Sequence, residues 1–383
     1  MNTSSMEKDR LAFATAQEIV QQPETWRKTL DIIKQRQQRI DAFLQPLLSQ
    51  RELRIIFTGA GTSAFIGKAL VPGLAGQVGA RMEAIPTTDL VSNPLEFFLP
   101  AIPTLLVSFG RSGNSPESVA AIELANQRVK NCFHLIITCN EAGQLHKRFE
   151  HGVNTLSLLM PPETHDRGFA MTSSITNMML ASLAIFAPEQ FNQTSFLPII
   201  ENSRIIIERY LKQTTPLFGD EGFTRVVYLG SGGLQGIAQE SALKMLELTA
   251  GKIATFYDSP TGFRHGPKSI VDGNTLVVVL ISNAAYTRQY DLDLVAELRN
   301  DQVARRVIAL ADSHAAEIIN GEHIYLPQTT GMDDLHIGFC YLVYAQIFAY
   351  LTSFNSGGSP DNPSPTGVVN RVVEGVIIHK LAD

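Results

Sequence analysis

From Arg51 onward the chain alternates short β-rich runs with helix-length segments, and it does so twice at one spacing. The first series of runs ends near Thr58 (LRIIFT), Ile85 (RMEAI), Ser108 (TLLVS), Thr138 (FHLIIT) and Leu158 (NTLSL). The second ends near Leu229 (RVVYL), Tyr257 (IATFY), Ile281 (LVVVLI), Leu310 (RVIAL) and Leu326 (IYL). Each run of the second series lies 168–173 residues beyond its counterpart. Five matched offsets predict an internal duplication, too large for a solenoid repeat and of domain size. Strands joined by helix-length crossovers pair in parallel, with helices covering both faces of each sheet. The expected class is α/β, with two tandem five-stranded parallel sheets and an N-terminal helical extension. The boundaries read as a helical segment over 1–50, a first repeat over 51–195, a connecting helix over 196–215 and a second repeat with its tail over 216–383. Within the N-terminal segment Pro23 is expected to start a second helix, which carries the lone tryptophan, Trp26. The Gly/Pro-rich stretch Asn355–Pro365 is expected to be an ordered lid or crossover.

At 383 residues and 44% hydrophobic, the chain can bury two cores. A formal charge of −6 leaves no electrostatic footprint for nucleic acid. Cys132, Cys139 and Cys340 form no C-x-x-C pattern and fit a reducing compartment. The polar start MNTSSMEKDR lacks a signal-peptide core. The apolar run Ile337–Leu351 is too short and interrupted to cross a bilayer, so it reads as a buried helix and no membrane partner is expected. The histidines lack metal-ligand spacing, so no metal site is expected. The expected protein is cytoplasmic.

One stretch carries an unusual charge pattern. Ile237–Leu248 is apolar or small nearly all round, yet Glu240, Lys244 and Glu247 fall on one stripe roughly 60° wide. A helix this apolar is buried, and its charged stripe must face a cavity, a ligand or water. The plainer alternative is an i,i+4 salt-bridge row on a solvated face. The turn Gly230–Gly233, which opens the same helix, favours the first.

In open α/β sheets, ligands sit beyond the carboxyl ends of the strands. Two first-repeat loops stand there: Thr58–Ala64 (TGAGTSA) and Ser108–Ser118 (SFGRSGNSPES). Ser115 reads as an N-cap with Pro116 at N1, so Ser112, Gly113 and Ser115 offer amides and hydroxyls to an anion. Plain capping is the simpler reading of those serines. The first loop would also suit a dinucleotide, with Glu83 on the ribose, but a hydroxyl-lined second loop has no use there. The second repeat lacks a matching serine nest after its third strand, so one phosphate site per chain is expected, from the first repeat.

These loops, the E-x-x-x-K-x-x-E helix and His265-Gly-Pro267 together resemble the SIS (sugar isomerase) family from about residue 51 to the end. They look like the isomerase domain of glucosamine-6-phosphate synthase, and the whole chain is most similar to AgaS-type deaminases of galactosamine 6-phosphate, often labelled tagatose-6-phosphate ketose/aldose isomerases. The resemblance implies two tandem SIS domains, flavodoxin-like in fold. It implies phosphate binding by Gly61, Thr62, Ser63, Arg111, Ser112 and Ser115, with Thr172 and Ser173 in a further substrate turn whose simpler reading is a helix N-cap. It implies a proton shuttle at Glu247, oxygen-handling by Glu240 and Lys244, and ring opening by His265 from the neighbouring subunit of a homodimer or higher homo-oligomer, without metal or organic cofactor. Two departures stand out. Asn370, followed by Arg371, sits where the synthase has its C-terminal lysine, and Gly110-Arg-Ser112 replaces Ser-Gln-Ser. The chain opens on a helix rather than a glutaminase domain, which favours release of ammonia over nitrogen transfer. A pure aldose–ketose isomerase and a non-catalytic sugar-phosphate sensor are the alternatives, and the sensor has no use for Glu240, Lys244 and Glu247.

Overall fold

The computed structural model describes residues 10–213, 222–312, 315–326, 331–367, 369–373 and 375–382. It contains two compact units. The first-repeat unit comprises Glu24–Asp166, Met171–Ser195 and the described part of Thr366–Asp383. The second-repeat unit comprises the described parts of Met1–Pro23 and Phe196–Pro365, with Arg167–Ala170. The C-terminal segment thus joins the first repeat, although it follows the second in sequence. Part of its anchor is Leu381, which packs on the first-repeat core.

In the first-repeat unit, strands β1 (Arg54–Thr58), β2 (Arg81–Ala84), β3 (Thr104–Gly110), β4 (Cys132–Thr138) and β5 (Thr155–Leu159) form one parallel sheet in the order β2-β1-β3-β4-β5. Two of the three interior strands, β1 and β3, are buried at every residue, as continuous apolar runs covered on both faces must be. Ile56, Leu106 and Ile136 pack with Ala121, Ile122 and Ala125 of the Pro116–Arg128 helix. The helix Thr62–Val78 approaches the sheet closely at Gly67, where a Cβ would lie 3.0 Å from the Cβ atoms of Phe57 and Ala84.

In the second-repeat unit, β6 (Arg225–Gly230), β7 (Ala254–Asp258), β8 (Thr275–Leu280), β9 (Arg306–Ala311) and β10 (His323–Tyr325) are parallel in the order β10-β9-β8-β6-β7. Counted from the first strand of each repeat, both orders are 2-1-3-4-5. The duplication reaches single dihedrals. Gly61, before the Thr62–Val78 helix, has φ 55° and ψ −129°; Gly232, before the Gly233–Leu248 helix, has φ 56° and ψ −126°. The left-handed φ at both sites is one that L side chains rarely adopt.

The N-terminal segment departs from expectation at Pro23. Ala14–Leu48 is one helix that runs through it. Proline lacks the N–H that would bond to the Ile19 carbonyl, one turn back. The Gln22 side chain supplies that donor instead, Nε2 to Ile19 O at 3.1 Å. Trp26 is fully buried and donates Nε1–H to Thr176 Oγ1 at 2.9 Å, within the first-repeat unit. The connecting segment is helical over Leu197–Ile206 and continues as a π-turn through Lys212; residues 214–215 lie outside the described set. The apolar helix Asp334–Asn355 is long enough to cross a membrane, but 83% of its most apolar window is buried, so it is a core helix. The following loop is ordered by Asp361, whose carboxylate accepts from Ala14 N at 2.7 Å and Thr15 N at 2.8 Å, capping the N-terminal helix.

Candidate active site

The first-repeat loops follow two strands paired in register, Thr58 opposite Ser108, so both emerge side by side at the switch point of the sheet. In the first loop a Cβ at Gly59 would meet the Ser63 backbone at 2.7 Å, which forces glycine there. Gly61 faces open space, and the helix behind it starts at Thr62 with no side-chain cap. The positive end of a 17-residue helix is thereby presented to the loop. Thr62 and Ser63 are buried, and Ser63 Oγ lies 3.8 Å from Met171 Sδ.

In the second loop Gly113 takes φ 63°. Ser112 Oγ accepts from Asn114 N at 3.2 Å, and Asn140 Nδ2 donates to Ser112 O at 2.7 Å. Ser115 occupies the N-cap position before Pro116, as expected, but its hydroxyl pairs with Ser118 Oγ at 2.6 Å rather than capping the backbone. Arg111 is buried at the end of β3. Its Nη2 donates to the Arg371 carbonyl at 2.5 Å, and the Arg371 guanidinium donates to the Asp166 carbonyl. His165 beside them is held below the usual histidine range, by burial first and then by the charges of Arg371 and Arg111.

Thr172 and Ser173 are buried at the start of the Ser173–Phe186 helix, whose N-terminus is filled by Asp166. The Asp166 carboxylate accepts from the amides of Thr172, Ser173 and Ser174 at 2.9, 3.2 and 2.9 Å. Those amides are committed within the chain, which is the helix-capping reading of this turn. Glu83 is likewise committed: its carboxylate takes Arg54 Nε at 3.0 Å and Nη2 at 2.5 Å, so it is not offered to a ribose.

Three hydroxyls escaped the sequence reading. Thr58 Oγ1, Thr87 Oγ1 and Ser108 Oγ are buried without a protein hydrogen-bond partner, at or beside the ends of β1 and β3. Their signal in the sequence was faint: one hydroxyl at the end of β1, one near the end of β3, and one opening the helix Thr87–Ser92 after β2. Their place together, where the two loops leave the sheet, leaves three hydroxyls available to a ligand there.

The second repeat is built differently at the corresponding place. Asp291, from the Ala285–Asp301 helix, is fully buried and accepts from Ser231 Oγ at 2.5 Å and Ser282 N at 2.8 Å. Its carboxylate bridges the loops after β6 and β8. Asp334 holds Ser282 Oγ at 2.6 Å and Asn283 N at 2.7 Å. Burial, helped by the negative charge of Asp334, pushes Asp291 up to about 6 despite its hydrogen bonds. A place already filled and lined by carboxylates is a poor phosphate site.

The Gly233–Leu248 helix has the charged stripe the sequence predicts. Lys244 is fully buried, with Nζ 3.3 Å from Glu240 Oε1 and 2.5 Å from Glu247 Oε2. The Glu240 side chain is 1% exposed and that of Glu247 is 24% exposed. Burial works against the Lys244 charge, but the two carboxylates outweigh it and hold the ammonium above its usual range. The solvated salt-bridge row is therefore excluded: two of the three charges are inside. Glu247 alone can present a carboxylate outward, with a permanent cation behind it.

His265 lies in an exposed stretch, Arg264–Gly266, after the Pro260–Phe263 turn. Ser259 caps that turn through Gly262 N at 3.1 Å, and Arg264 and Lys268 tie the stretch to Glu297. Cys132, Cys139 and Cys340 are free, buried and pushed up to about 12 by burial, so none is a nucleophile. Among the described residues no three His, Cys, Asp or Glu side chains converge as a metal site.

Comparison with known proteins gives the following. The SIS domain model matches residues 47–188 and 223–356. The D-galactosamine-6-phosphate deaminase AgaS of Escherichia coli is 56% identical over 365 residues, covering 95% of each chain. The crystal structure of an Escherichia coli protein described as tagatose-6-phosphate ketose/aldose isomerase superposes with a TM-score of 0.92 at 54% identity, covering 96% of this chain and 97% of that one. The C-terminal domain of glucosamine-fructose-6-phosphate aminotransferase from Francisella tularensis shares the fold alone, with a TM-score of 0.70 at 18% identity over 92% of this chain and 99% of that one.

Proposed function

The chain belongs to the SIS-domain family, and from that premise we infer that it is a galactosamine-6-phosphate deaminase with aldose–ketose isomerase chemistry. The observation that carries the chemistry is the buried Lys244 between Glu240 and Glu247, with Glu247 alone open to solvent. A sensor of sugar phosphates needs no such stripe, and burying it without use would cost stability.

In this reading the loops Gly59–Ser63 and Arg111–Ser115 take the phosphate, and binding energy from that end aligns C1 and C2. The open Gly61 turn, the uncapped helix start and the unpaired hydroxyls of Thr58 and Ser108 support the placement. The carboxylates in the second repeat's counterpart support one such site per chain. His265 opens the sugar ring. Its exposed loop supports service to a neighbouring copy in a dimer. Glu247 removes the C2 proton and returns it to C1, while Lys244 and Glu240 handle the adjacent oxygens. The 2-amino-aldose thus becomes a 2-imine, and water replaces the imine nitrogen to give tagatose 6-phosphate and ammonia. Thr172 and Ser173 contribute as a buried wall of the substrate turn. Three buried thiols fit a reducing, cytoplasmic setting.

The second reading, isomerisation of plain aldose phosphates, is favoured by the description of the solved relative at TM-score 0.92. Offering galactosamine 6-phosphate and galactose 6-phosphate side by side separates the two. Ammonia from the first at a far higher kcat/KM than ketose from the second supports the deaminase; the reverse order establishes the isomerase.

A further inference from the structure

We propose that Arg371, in the C-terminal segment, is a positioning residue of the phosphate cradle: it fixes the Arg111 guanidinium. The proposal rests on the cradle reading above and adds the tail to it. Arg111 hands one of its Nη2 hydrogens to the backbone carbonyl of residue 371, at 2.5 Å. A backbone carbonyl in an irregular segment is a poor anchor unless its own residue is held. The Arg371 side chain holds it, donating to the Asp166 carbonyl 205 residues earlier in sequence. Asp166 in turn is locked by five hydrogen bonds from Thr172, Ser173 and Ser174. A rigid helix start therefore fixes Asp166, Asp166 fixes Arg371, and Arg371 fixes Arg111 beside Ser112. Leu381, packed on the same core, keeps the segment in place from its far end.

His165, the residue before Asp166, is held below the usual histidine range by burial first and then by the charges of Arg371 and Arg111. A buried guanidinium held beside Ser112 matches a phosphate monoester in charge and in planar donor geometry. This also gives the tail a role without a lysine: at this place Arg371 serves the phosphate end rather than the carbonyl end.

The test compares Arg371→Ala, Arg371→Lys and the Ser112→Ala/Ser115→Ala double variant in the full-length enzyme, reading kcat, KM and inhibition by inorganic phosphate. Arg371→Ala should raise both KM and the phosphate inhibition constant about tenfold while kcat stays within about twofold, since one charge-assisted contact loses its alignment. Arg371→Lys should fall between it and wild type, because charge survives and geometry does not. A kcat loss with the phosphate inhibition constant unmoved overturns the proposal, as does a lysine variant no better than alanine. If the double serine variant shifts phosphate inhibition and Arg371→Ala does not, only the role of Arg371 fails. If neither shifts it, the cradle reading itself fails.

Discussion

Replacing Glu247 with glutamine should stop the chemistry and leave the fold and substrate binding in place. Lys244 touches two carboxylates, at 2.5 Å and 3.3 Å. With Glu247→Gln the ammonium keeps Glu240, and the amide oxygen can still accept from Nζ. The buried cation is not stranded, so the large penalty for breaking a buried pair does not arise. Glu247 is also partly exposed, which screens its share of the interaction. A stability change of about 1 kcal/mol or less follows, a few degrees in Tm at most. The chemical effect is of another size. A carboxamide has no proton affinity to speak of near neutrality, so the shuttle between C2 and C1 is lost, and kcat should fall on the order of 10²–10⁴-fold. Ammonia release from galactosamine 6-phosphate gives kcat, and inhibition by inorganic phosphate reports the phosphate end separately. Phosphate inhibition should be unchanged. A glutamine variant with near-normal kcat would move the base to Glu240 and refute the argument from exposure.

Three further outcomes are expected. Ser112→Ala with Ser115→Ala should raise KM about tenfold or more, from two lost contacts to a charged ligand; an unchanged KM for phosphorylated substrate would remove the phosphate from this loop. Mixing Glu247→Gln with His265→Ala chains under subunit exchange should restore part of the activity, because each hybrid holds one intact site; no recovery would confine the site to one chain. Asp291 has a folded-state pKa near 6, above the ordinary value near 3.9, so its contribution to stability is full below about pH 4 and is lost as pH rises through 6. Asp291→Asn should remove that loss and gain roughly 1–3 kcal/mol at pH 8, with its amide oxygen on the Ser282 N–H and its amide nitrogen on Ser231 Oγ; urea titrations at pH 5 and pH 8 that shift in parallel for both proteins would contradict this.

The sheets were legible because parallel strands covered on both faces must be apolar throughout, so LRIIFT and LVVVLI announce themselves without help from alternation. The stripe on the Gly233–Leu248 helix was legible because three charges on an apolar helix have one geometric consequence. Pro23 misled because the compensating donor, the Gln22 amide, is a side-chain choice that no helix rule records. The roles of Asp166 and Arg371 were hidden for a different reason. Their contact joins residues 205 positions apart, between two irregular segments, and periodicity carries no information about such pairs. Asp291 was hidden likewise: on its own helix it is an ordinary acid, and only the loops after β6 and β8 make it an internal occupant.

The most direct test of the central claim is a single progress curve on galactosamine 6-phosphate in heavy water, with ammonia and tagatose 6-phosphate counted together and deuterium located in the product. Deamination through Glu247 requires ammonia and ketose in equal amounts at every time point, with solvent deuterium at C1 wherever the shuttled proton exchanges. No ammonia from the amino sugar, or ammonia and ketose in unequal amounts, would contradict it.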